Sequence, residues 1–229
     1  GHVYAVGAAI AAKFLKARVG EVMSQTIYAY ISDGGVQEEI SQGAGRLAGH
    51  LGLDNLIMFY DSNDIQLSTE TSAVTSENVA QKYLAWGWKV VEIDGHDVDA
   101  IRKALNEAKA ENRKPTLIIG KTIMGKGARK ADGSSFENQC ATHGMPLSEG
   151  GASFDESIKN LGGDPANAFV IFEETKALYA KRAAELGRIV AERYAAKEAW
   201  AKANPELAAK MEFFFSGKTN VNWDAIIQK

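Results

Sequence analysis

The chain has 229 residues, of which 45% are hydrophobic and 24% charged, values typical of a globular protein with a sizeable buried core. A formal net charge of −3 argues against a nucleic-acid partner, whose surface would need a basic stripe. One cysteine, Cys140, excludes an internal disulfide and a cysteine zinc site and is typical of a reducing, cytoplasmic location. No run of about 18 apolar residues is present, so we expect no membrane span.

The chain starts without an initiator Met, and its apolar first residues have no signal-peptide cleavage site. We therefore expect it to begin inside a longer polypeptide. Residues 4–15 are alanine-rich and predict a buried helix, and Ile27–Ser32 predicts a strand that Asp33-Gly34-Gly35 ends. Further strands are predicted at 55–60, 89–93 and 115–120, and further helices at 37–51, 77–86 and 99–110.

Alternating strands and helices are typical of parallel βαβ units, whose right-handed crossovers place helices on both faces of the sheet. We therefore predict an α/β fold of three layers, α/β/α, with a mostly parallel sheet. Residues 122–151 show no clear period, and an irregular stretch of this length is usually functional or disordered.

The last part of the chain has a helical composition. Residues 172–203 predict a long helix, Pro205 interrupts the pattern, and residues 207–214 resume it. We divide the chain into an α/β domain over 1–165 and a helical extension with a linker over 166–229. The expected packing residues of the extension are Leu178, Leu186, Ile189, Val190 and Trp200, and Trp223 is the expected anchor of the linker at 219–229.

The most informative residues are Asp33, Gly34 and Asn63. Each lies just after a predicted parallel strand, at the sheet edge where open α/β sheets bind ligands. Asn63 follows Asp33 by 30 residues, one strand–helix–strand unit, so adjacent strands present a carboxylate and an amide oxygen. Such oxygens suit Mg²⁺, the backbone carbonyl of Ile65 could add a third, and Gly34 would let a phosphate come close.

Turn chemistry explains the same residues without a ligand. An Asp-Gly pair after a strand is often a turn, and a loop Asn often forms an Asx-turn. On spacing alone, this simpler interpretation is favoured over a metal site.

A family resemblance changes that balance. The segment YAYISDGGVQEEISQGAGRLAGHLGLDNLIMFYDSNDIQLS resembles the thiamine diphosphate motif in its transketolase form, in which the helix carries a Glu and the second strand ends in Tyr-Asp-x-Asn. Similarity continues through AWGWKVVEIDGHD, KPTLIIGKTIMGKG and THGMPL, and GHVYAVGAAIAAK resembles the helix that follows a Gly-rich loop in transketolases. It covers most of residues 1–147. Ser32 and Ser62 depart from the wider cofactor family, which has Gly and Asn there, but neither change removes an expected ligand.

The resemblance implies thiamine diphosphate and Mg²⁺, or Ca²⁺ in its place, as cofactors. It makes Asp33 and Asn63 metal ligands, adds the backbone oxygen of Ile65, and places Gly34 and Asn63 at the diphosphate. His143 matches a histidine beside cofactor and substrate, which implies a catalytic, cofactor-binding and substrate-binding role; a loop-surface histidine is the plain alternative. Glu38 matches an interface glutamate able to relay protons, although the sequence alone favours a solvated helix residue.

The implied activity is transfer of two-carbon ketol units between sugar phosphates, in the pentose phosphate pathway, by a homodimer. In transketolases, the glutamate that activates the cofactor comes from a second, pyrimidine-binding domain of the partner subunit, and 229 residues leave no room for one. We therefore expect little activity from this chain alone. The alternatives are a domain of an E1-type 2-oxo acid dehydrogenase or a deoxyxylulose-phosphate synthase, a subunit of a split transketolase, and a non-catalytic module that binds the cofactor or a partner chain.

Overall fold

A parallel sheet of four strands forms the centre of the first part of the molecule. The computed structural model describes residues 1–227. The strands lie in the order β1-β2-β4-β3, and all neighbours are parallel. Their bounds are Ile27–Ser32 for β1, Leu56–Ser62 for β2, Lys89–Asp94 for β3 and Thr116–Lys121 for β4. The register places Ser32 beside Asp61 and Asp61 beside Gly120, so the carboxyl ends of three strands meet at one edge.

Helices cover both faces of this sheet. The helices of the first half are α1 (His2–Val19), α2 (Asp33–Gln37), α3 (Glu39–His50), α4 (Val79–Ala85) and α5 (Val98–Ala110). One buried cluster joins α1, α3 and α4 to the sheet around Trp88, Tyr83 and Met58, and another joins α5 to the opposite face through Ile57 and Ile118. Each large apolar side chain buried in these clusters contributes about 1.5–3 kcal/mol. The predicted three-layer α/β/α fold is confirmed.

Helix α3 approaches the chain after α4 very closely. The Trp88 indole donates a hydrogen bond to the carbonyl of Gly45 at 2.8 Å. A Cβ atom on Gly49 would lie 1.8 Å from the carbonyl oxygen of Trp86, so only glycine fits there. This contact fixes the helix that follows the Asp33 segment.

The predicted helix over residues 37–51 is wrong at its start. Helix α2 begins directly after β1, at Asp33, and ends at Gln37. Glu38 then has extended backbone, with φ of −61° and ψ of 126°, before α3 begins. The break separates the short helix that carries Asp33 and Gly34 from the longer helix that packs on the sheet.

The irregular segment after β4 has a small core of its own. Ala128, Phe136 and Ala152 are buried together, and the Glu137 carboxylate accepts a hydrogen bond from the amide of Gly127 at 2.7 Å. Short helical elements complete the region: a 3-10 turn at Cys140–Thr142, α6 at Leu147–Gly150 and α7 at Phe154–Asn160. Because residues distant in sequence form this core, no local hydrophobic period predicts it.

The chain forms two compact units. The first contains Gly1–Lys13 and Gln25–Val170, and the second contains Phe14–Ser24 and the chain from Ile171 onward. The domain boundary that we predict after residue 165 lies close to this division and stays a prediction. The helices of the second unit are α8 (Glu173–Ala203), α9 (Pro205–Phe215) and α10 (Trp223–Ile227).

Helix α8 leaves three of the packing residues predicted from its sequence exposed. These are Leu178, Leu186 and Val190, whereas Ile189 and Trp200 are half-buried. Trp223 is also exposed, so its predicted anchoring role is wrong here. Residues 228–229 of the predicted linker lie outside the described residues. Within residues 1–227, no helix combines the length and apolar character needed to cross a membrane.

Candidate functional site

Asp33 is the most buried charged residue at the carboxyl edge of the sheet. Its exposed fraction is 1%, although it is the first residue of α2. Its Oδ1 atom accepts a hydrogen bond from the Tyr60 hydroxyl at 2.6 Å. Its Oδ2 atom accepts bonds from the backbone amides of Asn63, at 3.0 Å, and Asp64, at 3.2 Å. Burial of a carboxylate costs free energy unless hydrogen-bond donors compensate its charge, as these three do. The same bonds connect the end of β1 to the loop after β2.

The phenol of Tyr60 acts as a donor in this arrangement. Burial, and next the hydrogen bond to Asp33, raise the pKa of Tyr60 well above its ordinary value. The hydroxyl therefore keeps its proton throughout the physiological range. Tyr60 belongs to β2, and the sequence reasoning assigned it no role beyond its place in the strand.

Asn63 lies in an Asx-turn, as its loop position suggests. Its Oδ1 atom accepts a hydrogen bond from the amide of Ile65 at 3.1 Å. An amide oxygen has two acceptor positions, so one remains for a cation. Ile65 is buried and pairs with Glu70 in an isolated antiparallel bridge, which closes the loop on itself. Asn63 can therefore form the turn and ligate a metal ion at the same time.

Asp64 has a backbone conformation that non-glycine residues seldom adopt. Its φ is 66°, in the left-handed region. The Asp64 amide donates to Asp33, and the Asp64 carboxylate pairs with Lys121 at 2.8 Å. Both groups of the ion pair are exposed, so its contribution to stability is about 0–1 kcal/mol.

Gln37 ties α2 to the same loop. Its side-chain nitrogen donates to the backbone carbonyl of Asp33 at 3.1 Å and to the side-chain oxygen of Gln66 at 2.8 Å. Gln66 directly follows Ile65, so this bridge holds the segment whose carbonyl is a predicted ligand. No signal in the sequence separates Gln37 from an ordinary solvated helix residue.

Open space lies beside Gly34. A Cβ atom built on Gly34 would have no heavy atom within 4 Å outside its own local backbone. The neighbouring Gly35 differs, because its Cβ would come within 2.9 Å of Ile31 Cγ1. A side chain at Gly35 would thus clash with Ile31, whereas the space beside Gly34 is open.

His143 is half-buried just after the 3-10 turn at Cys140–Thr142. Its Nδ1 atom is buried and has no hydrogen-bond partner among residues 1–227. A Cβ atom on Gly144 would lie 3.3 Å from Leu67 Cδ1, so this segment adjoins the loop that carries Ile65. No hydrogen bond of the described residues joins His143 to Asp33 or Asn63.

Glu38 lies at the break between α2 and α3 and is exposed. Its carbonyl accepts the amide of Gln42 at 3.0 Å, which opens α3. Its interface role stays a prediction. His96 has a structural contact, because its Nε2 atom accepts the Ile123 amide at 3.0 Å.

A cavity of about 350 Å³ adjoins this group of residues. Asp33, Gln37, Tyr60, Asp64 and Lys121 form part of its wall. Asn63, Ile65 and His143 do not line it. The cavity therefore borders Asp33 without contacting the other two predicted metal ligands or the histidine.

The arrangement fits a magnesium ion with a diphosphate. Mg²⁺ usually takes one or two side-chain oxygens and completes its octahedron with phosphate oxygens and water. Within residues 1–227, no three His, Cys, Asp or Glu side chains cluster as a protein-only metal cage would require. Asp33 and Asn63 each keep a side-chain oxygen with an acceptor position that no described residue fills, and the space beside Gly34 is open, so these residues are compatible with such an ion.

Comparison with known proteins gives a consistent result. The family model described as "Transketolase, thiamine diphosphate binding domain" matches residues 1–220. A transketolase of Geobacillus stearothermophilus is 36% identical over 98% of this chain and 34% of its own length. A dihydroxyacetone synthase of Pichia angusta is 34% identical over 97% of this chain and 31% of its own length.

Solved structures agree. A Pichia stipitis transketolase variant in complex with fructose 6-phosphate superposes with a TM-score of 0.87 at 31% identity, over 98% of this chain and 33% of that one. The transketolase of Leishmania mexicana gives a TM-score of 0.86 at 32% identity, again over 98% and 33%. The chain thus spans about a third of the length of these relatives. It belongs to the transketolase family, and the part that it matches is the thiamine diphosphate-binding domain.

Proposed function

We propose that this chain binds thiamine diphosphate together with Mg²⁺ and forms one part of a transketolase active site. The observation that carries the proposal is the Asp33 carboxylate, which is 1% exposed and held by donors from β2 and the loop that follows it. A buried carboxylate at the carboxyl edge of a parallel sheet is placed where ligands of such sheets bind. The family match supports the identity of the cofactor.

Each proposed ligand residue has its own task. Asp33 and Asn63 contribute side-chain oxygens to the ion, and Ile65 contributes its backbone carbonyl. Gly34 leaves the space that the diphosphate occupies, and Asn63 also contacts that group. His143 presents its Nδ1 atom to the cofactor and the substrate, where it forms a hydrogen bond or moves a proton. Thiamine diphosphate, when bound, supplies the nucleophilic carbon for ketol transfer.

The whole reaction belongs to a longer enzyme. Because the chain spans about a third of its relatives, we propose that ketol transfer between sugar phosphates needs a second, pyrimidine-binding domain, from the same polypeptide or a partner subunit. We further propose a cytoplasmic homodimer that works in the pentose phosphate pathway and has Glu38 near its subunit interface. The proposed division of labour places the cofactor site in residues 1–165 and the connection to the rest of the enzyme in residues 166–229.

Calorimetry of thiamine diphosphate binding, with and without Mg²⁺, tests the cofactor site. We expect Mg²⁺-dependent binding that Asp33→Ala abolishes and that Asp33→Asn, which keeps the side-chain shape, weakens strongly. Asp54→Ala is the matched control, because it removes a carboxylate paired with Lys13 at 2.7 Å, before β2 and away from the carboxyl edge. Binding that is independent of Mg²⁺ and unchanged in both Asp33 variants would contradict the site.

An activity assay tests the division between domains. Ketol transfer from xylulose 5-phosphate by the isolated chain should be negligible, because in transketolases the group that activates the cofactor comes from the pyrimidine-binding domain. Addition of a transketolase pyrimidine-binding domain should restore measurable transfer. Substantial turnover by the isolated chain would refute this part of the proposal.

A further inference from the structure

The two oxygens of Asp33 have different surroundings. The amides of Asn63 and Asp64 both donate to Oδ2, at 3.0 and 3.2 Å. Only the Tyr60 hydroxyl donates to Oδ1 among the described residues, at 2.6 Å. Each carboxylate oxygen has about two acceptor positions. Oδ2 is therefore saturated within the chain, and Oδ1 keeps one position for an outside partner.

The bond from Tyr60 to Oδ1 is well fixed. Tyr60 lies on a strand with neighbours on both sides, and its ring belongs to the buried cluster of the first unit. The parallel register places it beside Ile31, two residues before Asp33. The phenol thus has little freedom to move, and the carboxylate that it holds cannot rotate without breaking all three of its hydrogen bonds.

We propose that Tyr60 is the positioning residue that aims the Oδ1 atom of Asp33 at the metal ion. The inference rests on the proposed Mg²⁺ site and deepens it. Groups that hydrogen-bond a metal-ligating side chain orient it, and their loss typically lowers metal affinity by about 10–100-fold. Tyr60 itself does not contact the ion.

The alternative is a purely structural hydroxyl, which satisfies a buried carboxylate and does no more. Both roles predict some loss of folding stability in Tyr60→Phe, because Oδ1 loses its donor. Only the positioning role predicts a change in the Mg²⁺ concentration that supports cofactor binding. Metal dependence, rather than melting temperature, is therefore the deciding measurement.

The experiment titrates Mg²⁺ into the full chain with excess thiamine diphosphate and follows binding by intrinsic tryptophan fluorescence or calorimetry. We expect Tyr60→Phe to raise the half-saturating Mg²⁺ concentration at least about tenfold. Tyr83→Phe is the control, because it also removes a buried tyrosine hydroxyl, one without a partner among residues 1–227. Its half-saturating concentration should equal that of the parent chain.

The outcomes separate this inference from the proposed site. A normal Mg²⁺ requirement in Tyr60→Phe, with binding lost in Asp33→Ala, would overturn the role of Tyr60 and leave the metal site intact. An equal rise in Tyr83→Phe would also overturn it, because the effect would then belong to the shared core. Absence of Mg²⁺-dependent binding in the parent chain would overturn both proposals.

Discussion

Replacement of Gly34 by alanine should move folding stability and cofactor binding in opposite directions. Gly34 lies inside α2, and a Cβ atom there meets nothing within 4 Å. The added methyl group therefore causes no clash in the free chain. Alanine is favoured over glycine in a helix by up to about 1 kcal/mol, so the free energy of unfolding should stay equal or rise slightly.

The same methyl group should interfere with a diphosphate. If the phosphate oxygens lie in the open space beside Gly34, they lose close approach to the backbone. We expect the dissociation constant of thiamine diphosphate to rise at least about tenfold, which corresponds to about 1.4 kcal/mol. The measurement is calorimetry at saturating Mg²⁺, with urea unfolding of the same preparations.

A matched control comes from α3. Gly43→Ala also adds a methyl group to a helical glycine, where the nearest heavy atom would be Arg46 Nη2 at 3.9 Å. It should raise stability by a similar amount and leave binding unchanged. Unchanged binding in Gly34→Ala would show that the open space is not the diphosphate site, and the reasoning from free volume would fail.

The remaining predictions concern a buried histidine and a strained loop residue. His2 is 5% exposed, and burial, followed by the charge of the terminal amine, lowers its pKa from 6.5 to about 4. The unfolded chain therefore takes up this proton first, so the free energy of unfolding should fall by about 3 kcal/mol as the pH drops from 6.5 to below about 4. His2→Leu should flatten this part of the profile in urea titrations, and an unchanged slope would refute the assignment. Asp64→Val should destabilise the fold by about 1–3 kcal/mol and weaken cofactor binding, because a β-branched residue resists a positive φ. Asp64→Gly should preserve both properties, and equal thermal melting of the two variants would contradict the strain argument.

Much of the layered fold follows from local sequence patterns. The strand bounds Ile27–Ser32 are confirmed, because β-branched and aromatic residues run up to an Asp-Gly-Gly that ends the strand. Asn78 and Asp97 cap α4 and α5 where the apolar periods begin, so these helices appear close to their predicted positions. The helix predicted at residues 37–51 starts too early, because extended backbone at Glu38 interrupts a continuous helical composition.

The sequence did not predict correctly which residues of the C-terminal helices are buried. Leu178, Leu186 and Val190 have the composition of packing residues, yet they are exposed in the described chain. An apolar side chain can be buried, but the sequence of 229 residues does not show whether any of those residues packs against it. The core at Ala128, Phe136 and Ala152 shows the converse, because its members are too far apart in sequence for any local period to predict their contact.

For the candidate site, the sequence by itself determined which residues are available and in what order along the chain. The interval between Asp33 and Asn63 equals one strand–helix–strand unit, so parallel pairing brings them to the same edge. Tertiary structure alone decided the contacts of the Asp33 carboxylate with the Tyr60 hydroxyl and the Asn63 and Asp64 amides, and the bridge from Gln37 to Gln66. These contacts depend on strand register, side-chain rotamers and one left-handed φ. They could not be predicted because none of these three features is determined by a local stretch of sequence.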